Sequence, residues 1–181
     1  CMGSALYKSL FARDQPRIAL LNVGLEEHKG NDILKKTYLM LKNIKIKNFK
    51  FCGYIEGNHI MDGDVDVIIT DGFTGNIALK TAEGLSRFIV DNFKKVFTKN
   101  IINNIAYLIL RRDLIKFSNT VNPTKYNGAM VLGLNGVVIK SHGNATPEAF
   151  AQALKNCLEF IKKDINKLII EELELVKFVN E

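Results

Sequence analysis

The chain has 181 residues, 47% of them hydrophobic and 24% charged, a balance that supports a packed domain and argues against disorder. A formal net charge of +6 favours an acidic partner, protein or anionic lipid, while the lack of Trp and of basic clusters interleaved with aromatics disfavours nucleic acid. Cys1, Cys52 and Cys157 form no CxxC and have no histidine at metal spacing, which fits reduced thiols in a cytoplasmic protein without a metal site.

Residues Met2 to Phe11 read as a helix, followed by a polar loop from Arg13 to Arg17. Ile18 to Val23 is a short apolar run closed by Gly24, the pattern of a buried parallel strand. Glu26 to Asn31 is a polar loop, and Asp32 is placed to cap a helix facing inward through Ile33, Tyr38, Leu39 and Leu41. Phe49 to Ile55 and Val65 to Ile69 are the next two strands, joined by a connection at Asn58 to Gly63. A loop at Thr70 to Asn76 leads to a helix from about Ile77 to Phe97, with Ala78, Leu79, Leu85, Phe88, Ile89 and Phe93 at helical spacing. This alternation of strand, glycine-bearing turn and helix predicts βαβ units and a mainly parallel sheet.

From Ile101 the character changes. Ile101 to Leu110 and Leu114 to Phe117 are apolar, with Arg111 and Arg112 between them, and Pro123 and Gly128 close the segment. It is too short and too interrupted to span a bilayer. Three readings fit: a core helix, an oligomer interface (ranked first over membrane contact), or a membrane-surface element with Leu108, Ile109, Leu110, Arg111, Arg112 and Leu114 facing lipid. Runs at Val131 to Leu134 and Val137 to Ile139 follow, the second ending in Lys140-Ser-His-Gly143. A last helix has Thr146 as N-cap and Pro147 at its first position, continuing through Ala151, Leu154, Leu158 and Ile161 into a charged, aliphatic tail. Cys52 and Cys157 read as small core residues.

Three polar loops at strand ends are the candidate chemistry: Gly24 to Asn31, Asp71 to Asn76 and Lys140 to Asn144. Ligands of open parallel sheets bind beyond the carboxyl ends of the strands. Gly72 and Gly75 permit close backbone approach, and the following helix start offers N–H groups to an anion such as phosphate; the alternative is a plain cap by Asp71 or Thr74. Lys140, Ser141 and His142 set a cation, a hydroxyl and an imidazole side by side, although a lone loop histidine is more often only a polar surface residue. Lys29, followed by Gly30 and Asn31, rises above a solvated charge run only if its loop meets the others. No cysteine falls in these loops, and no metal constellation or GxGxxG nucleotide fingerprint is present, so no cofactor is expected.

Taken in order, Ala19-Leu-Leu-Asn-Val-Gly24, the Glu-Glu-His-Lys-Gly-Asn run ending at Asn31, and Asp66-Val-Ile-Ile-Thr-Asp-Gly-Phe-Thr-Gly-Asn76 resemble the PlsX family of phosphate:acyl-carrier-protein acyltransferases. Leu79-Lys-Thr-Ala-Glu-Gly84, Tyr126-Asn-Gly-Ala129 and Leu132-Gly-Leu-Asn-Gly-Val-Val-Ile-Lys-Ser-His-Gly143 extend the resemblance over nearly the whole chain. It implies a three-layer αβα fold with a mainly parallel sheet, like the phosphotransacetylases and the isocitrate/isopropylmalate dehydrogenases, with a protruding helical hairpin at 101–122. It implies also that residues 1–181 are the C-terminal part of one α/β acyltransferase domain. Cys1 preceding Met2 agrees with an N-terminal part lying elsewhere. The implied reaction converts acyl-[acyl-carrier-protein] and inorganic phosphate to acyl phosphate for phospholipid synthesis, in a cytoplasmic homodimer peripherally bound to an anionic membrane surface. Lys29, Asn76 and His142 are expected to carry the chemistry. Lys29, Lys140 and the helix start at Asn76 would hold phosphate, the Asn76 amide or His142 would stabilise the oxyanion, and Asp71 would orient a lysine or the histidine. Gly30, Asn31, Gly72, Thr74, Gly75 and Ser141 complete the expected phosphate site. The alternatives are an inactive dimerisation or membrane-docking module and a phosphotransacetylase-like enzyme using acyl-CoA.

Overall fold

The structure is a computed structural model that describes every residue except 12, 45–46, 122–126, 144 and 178–181. Pro123, Tyr126, Asn144 and the end of the tail therefore lie outside the described residues. The chain divides into two compact units. The first comprises residues 1–71, 130–140 and 155–181, and the second 72–129 and 141–154.

The first unit is built on a parallel sheet of three strands, β1 (Arg17–Asn22), β2 (Lys50–Glu56) and β3 (Val67–Ile69), in the order β2-β1-β3. β1 is central, pairing Arg17 with Lys50 on one side and Ile18 with Val67 on the other. Its residues Ile18 to Asn22 are all buried, as a strand covered on both faces requires. Helix α1 (Met2–Phe11) forms where the sequence predicts it, and α2 (Asp32–Asn43) connects β1 to β2. The cap of α2 is Asn31, whose Oδ1 accepts the Leu34 N–H at 2.9 Å, rather than Asp32. Its inward residues are Tyr38 and Leu41; Ile33 and Leu39 are exposed because only one flank of the helix meets the sheet. Tyr38 stacks on Tyr54 and meets Phe51 edge-on. Cys52 is exposed and is not a core residue.

A second core in this unit joins Ala5 to Phe160, Ile165 and Ile169, with Met130, Leu132, Val137 and Ile139 against it. The last four elements supply it: the short two-stranded pair β4 (Ala129–Met130) and β5 (Ile139–Lys140), and helices α5 (Pro147–Lys162) and α6 (Ile165–Lys177). Thr146 does cap α5, its Oγ1 accepting from the Ala149 N–H. The buried residues of α5 are Ala149, Ala153 and Phe160, while Leu154, Leu158 and Ile161 are exposed and Cys157 is half-buried. Apolar periodicity located that helix but not the face it buries.

The second unit holds α3 (Gly72–Phe97) and α4 (Ile101–Val121). Helix α3 starts at Gly72, not near Ile77, so Gly72 to Asn76 are helical rather than a loop. Glycine and asparagine are weak helix formers, but no proline bars the helix and neither Gly72 nor Gly75 has a positive φ. Helix α4 runs unbroken through Arg111 and Arg112, so these arginines are not a hairpin tip. The hairpin is instead made by α3 and α4, turning at Thr98 to Asn100. Asn100 Oδ1 accepts the Asn103 N–H, Asn103 Nδ2 donates to the Val96 carbonyl, and Phe93 and Phe97 meet Phe117 and Tyr107. Among the described residues no helix is long and apolar enough to cross a membrane.

Candidate functional site

Strand β1 pairs with β2 on one side and β3 on the other, so the order β2-β1-β3 reverses beside β1. The carboxyl ends of β1 and β3 flank such a reversal, the place where open α/β sheets bind ligands. The loop after β1 carries Lys29 to Asn31, and the end of β3 carries Asp71.

Asn22 ends β1 as a buried side chain and organises this loop. Its Nδ2 donates to the Lys29 carbonyl at 3.1 Å, while its buried Oδ1 has no partner among the described residues. Gly30 lies at φ +88° against it, and a methyl group on Gly30 would meet Asn22 Oδ1 at 2.5 Å. Glycine is required there on both counts. The Lys29 side chain folds back along Gly24, where any Cβ would collide with Lys29 Cδ. Its Nζ pairs with Glu26 at 2.9 Å, and the same Lys29 keeps the Glu26 carboxyl below its usual range. Glu27 ties the loop to α2, accepting from Tyr38 and Lys42. A shallow cavity of about 440 Å³ lined by Tyr38, Lys42, Phe51 and Cys52 lies beside α2 and contains none of the loop residues.

In the second unit, the first four N–H groups of α3 belong to Gly72, Phe73, Thr74 and Gly75. Asn76 is the fifth helical residue, so its own N–H is not among these four and its contribution is the exposed side chain. Residues 76, 80 and 83 fall on one face of the helix, at i, i+4 and i+7. His142 meets that face: its Nε2 is 3.1 Å from Glu83 Oε1 and 3.1 Å from Lys80 Nζ, and Lys80 donates to Glu83 Oε2 at 2.8 Å. The Glu83 carboxylate is held below its ordinary range by Lys80 first, then by His142, against the opposing effect of burial.

The backbone of His142 is fixed from beneath by buried Asn127. Its Oδ1 accepts the His142 N–H at 2.8 Å, and its Nδ2 donates to Ser141 Oγ and to the Ala149 carbonyl. A half-satisfied buried amide would cost about 1–3 kcal/mol, so this loop has one strongly preferred arrangement.

The predicted residues thus fall into two groups. Lys29, Gly30, Asn31 and Asp71 follow strands of the three-stranded sheet in the first unit, which also holds exposed Lys140. Gly72, Thr74, Gly75, Asn76, Ser141 and His142 belong to the second. Lys140 ends β5, so the third loop does follow a strand, but a strand of the separate β4–β5 pair rather than of the three-stranded sheet. Asn22, Lys80, Glu83 and Asn127 were missed as site residues, although each lies inside one of the motifs that carry the family resemblance. Among the described residues no His, Cys, Asp and Glu cluster could hold a metal.

The family model described as "Fatty acid synthesis protein" matches residues 1–168. The chain is 49% identical over 160 residues to a phosphate acyltransferase of Pelagibacter ubique, covering 88% of this chain and 48% of that protein. It is 48% identical over 172 residues to one of Ehrlichia chaffeensis, covering 95% and 51%, and 41% identical over 180 residues to one of Legionella pneumophila, covering 99% and 52%. The chain spans about half the length of the curated relatives it matches. A match over this much of the sequence, with every sheet-end motif inside it, means that the chain belongs to the fatty acid synthesis protein family, the PlsX-type family it resembles.

Proposed function

We propose that the chain carries the phosphate-handling part of an acyl-[acyl-carrier-protein]:phosphate acyltransferase, on the sheet architecture of the isocitrate/isopropylmalate dehydrogenase-like αβα proteins. The observation that supports this most directly is His142, held against the Asn76 face of α3 beside Lys80 and Glu83. A phosphate oxygen attacks the thioester carbonyl, the C–S bond breaks, and the proton of hydrogen phosphate ends on the carrier thiol. Phosphate is already anionic near neutral pH, so the work is to hold it and to stabilise the oxyanion. We assign phosphate binding to Lys29, Lys140 and the N–H groups opening α3, and name Gly30, Asn31, Gly72, Thr74, Gly75 and Ser141 as further phosphate-binding residues. Oxyanion stabilisation is assigned to the Asn76 amide or to His142, and Asp71 is an orienting carboxylate.

The net charge of +6 suits acyl carrier protein as the acidic partner. The test is phosphate-dependent loss of long-chain acyl thioester from the carrier, with acyl phosphate trapped by hydroxylamine. Turnover requiring both phosphate and carrier, lost by at least roughly a hundredfold in Lys29→Ala and Asn76→Ala, supports the assignment. Variants within a few fold of wild type overturn it, and equal turnover of acyl-CoA assigns the chain to the phosphotransacetylase type.

Helix α4 supports an additional role as a homodimer surface that also touches anionic lipid. It meets α3 through Asn103, Tyr107 and Phe117, and the opposite stripe is Ile101, Ile105, Leu108, Arg112 and Ile115. Ile101 and Leu108 are 78% and 67% exposed. Ile109, Leu110 and Arg111 are exposed too, whereas Leu114 is partly buried. Contiguous exposed apolar area of this kind marks an interaction surface.

A further inference from the structure

We infer that Glu83 is the positioning residue for His142, holding the Nε2 proton so that Nδ1 is the ring nitrogen left to the reaction. The inference rests on the phosphate acyltransferase reading and names a residue that reading does not use.

Two groups compete for Nε2 at the same distance, the Glu83 carboxylate and the Lys80 ammonium, each at 3.1 Å. They demand opposite tautomers. A carboxylate only accepts, so Nε2 must carry the proton; an ammonium only donates, so Nε2 must be bare. Lys80 already has an acceptor in Glu83 Oε2 at 2.8 Å, whereas Glu83 Oε1 has no donor besides the ring among the described residues. The Glu83 side chain is 12% exposed against 55% for Lys80, so the carboxylate lone pair is the harder group to leave unpaired. The Nε2–H tautomer satisfies all three groups at once.

The consequence is chemical. With Nε2–H fixed on Glu83, the bare Nδ1 can take the proton shed by phosphate and return it to the departing thiolate, which leaves oxyanion stabilisation to the Asn76 amide. The transient imidazolium is then stabilised by the adjacent carboxylate. Asn127 completes the arrangement by fixing the His142 backbone N–H, so the residue is held through its main chain and through Nε2 of its ring. Sequence periodicity alone places Glu83 on the Asn76 face; only the fold adds the imidazole.

The first test reads the tautomer rather than turnover. Long-range ¹H–¹⁵N correlation at about pH 8, above the ordinary imidazole pKa of about 6.5, separates protonated from bare ring nitrogens. Loss of one of the chain's three imidazole sets in His142→Gln assigns the signals. Wild type is expected to show Nε2–H at His142, and Glu83→Ala to redistribute it between the two nitrogens. A wild-type Nδ1–H tautomer, or one unmoved in Glu83→Ala, overturns the inference. The second test uses Glu83→Gln, which keeps the packing. Its turnover is expected to fall roughly tenfold or more, and the double variant with His142→Gln to fall no lower than His142→Gln alone. Losses that multiply in the double variant overturn the inference. If wild type has no turnover at all, the acyltransferase reading fails for this chain while the tautomer measurement still decides the role of Glu83.

Discussion

The carboxylate of Asp66 accepts the backbone N–H of Arg17 at 2.8 Å and the guanidinium Nε–H of the same residue at 3.1 Å. One side chain thereby clamps the first residue of β1 to the approach of β3, next to the Ile18–Val67 pair. Tyr7 from α1 and Arg13 add two further donors to the same carboxylate, at 3.0 and 2.7 Å. Because the strand ends opposite this clamp carry Lys29 and Asp71, it sets the register on which the sheet-end loops depend.

Replacing Asp66 by Asn removes the charge but keeps one acceptor. The carboxylate is nearly buried, but Arg13 is exposed and Arg17 half-buried, so the expected cost is about 2 kcal/mol, that of hydrogen bonds to a charged group rather than of a fully buried pair. The clamp holds the Asp66 carboxyl far below the usual carboxylate range, the hydrogen bonds from Arg17 contributing most. A depressed folded pKa stabilises above the unfolded value of about 4, and that stabilisation is lost as pH falls below it. Denaturant midpoints of wild type and Asp66→Asn should therefore differ most at neutral pH and approach each other from about pH 4 downward. A gap that stays constant on acidification would show that the clamp contributes no charge-linked stability.

Gly30→Ala sets a methyl group 2.5 Å from Asn22 Oδ1 and forces a left-handed backbone on alanine. The two effects can be separated. The strain belongs to residue 30 alone and costs about 1–3 kcal/mol. The clash is removed by shortening Asn22. We expect Gly30→Ala to lower both stability and turnover, and the added change Asn22→Ala to restore neither fully, since it also frees the Lys29 carbonyl. Complete recovery in the double variant would mean that the turn tolerates alanine and that only the clash mattered.

The sheet was readable in the sequence because buried parallel strands have a simple signature. Ile18 to Val23 is uninterruptedly apolar but for Asn22, and β1 is the strand covered on every side. The start of α3 was not readable. Asp71-Gly-Phe-Thr-Gly-Asn76 consists of residues that favour turns, and only the position of the following strand-to-helix junction decides that Gly72 is already helical. The same limit applies to side-chain facing. Leu154 and Leu158 sit at core spacing yet are exposed, because periodicity fixes which residues share a face and not what that face meets. Lys29, Asn76 and His142 stood out as polar residues next to glycine or at strand ends. Glu83, in mid-helix, and Asn127 are unremarkable until His142 is placed beside them.

Glu26 occupies Lys29, the cation we propose for phosphate binding. Its carboxylate lies 2.9 Å from Lys29 Nζ, and both side chains are about half exposed, so the pair itself adds little stability. Its effect should appear in binding instead, since an incoming dianion must displace it. Glu26→Gln is expected to lower the phosphate KM roughly two- to fivefold at low salt, with kcat little changed, and the gain should shrink as ionic strength rises. A KM that rises instead would show that Glu26 orients Lys29 rather than competing for it.

The α4 stripe separates a protein partner from a lipid one. Arg112 lies in the middle of Ile101, Ile105, Leu108 and Ile115, at i+11 from Ile101. Between two copies related by a twofold axis, that charge would be brought towards its own mate unless a carboxylate or water receives it. Against a membrane it would sit at the level of the lipid phosphates. Leu108→Asp places a carboxylate on the exposed stripe and should abolish both interactions without unfolding the unit, because the side chain is already 67% exposed. Arg112→Gln is the discriminating change. It should leave a dimer intact in sedimentation at micromolar concentration while reducing flotation with phosphatidylglycerol vesicles, and the reduction should vanish with neutral phosphatidylcholine. If Arg112→Gln dissociates the dimer instead, the arginine has its partner in the second copy, and the stripe is a protein interface alone.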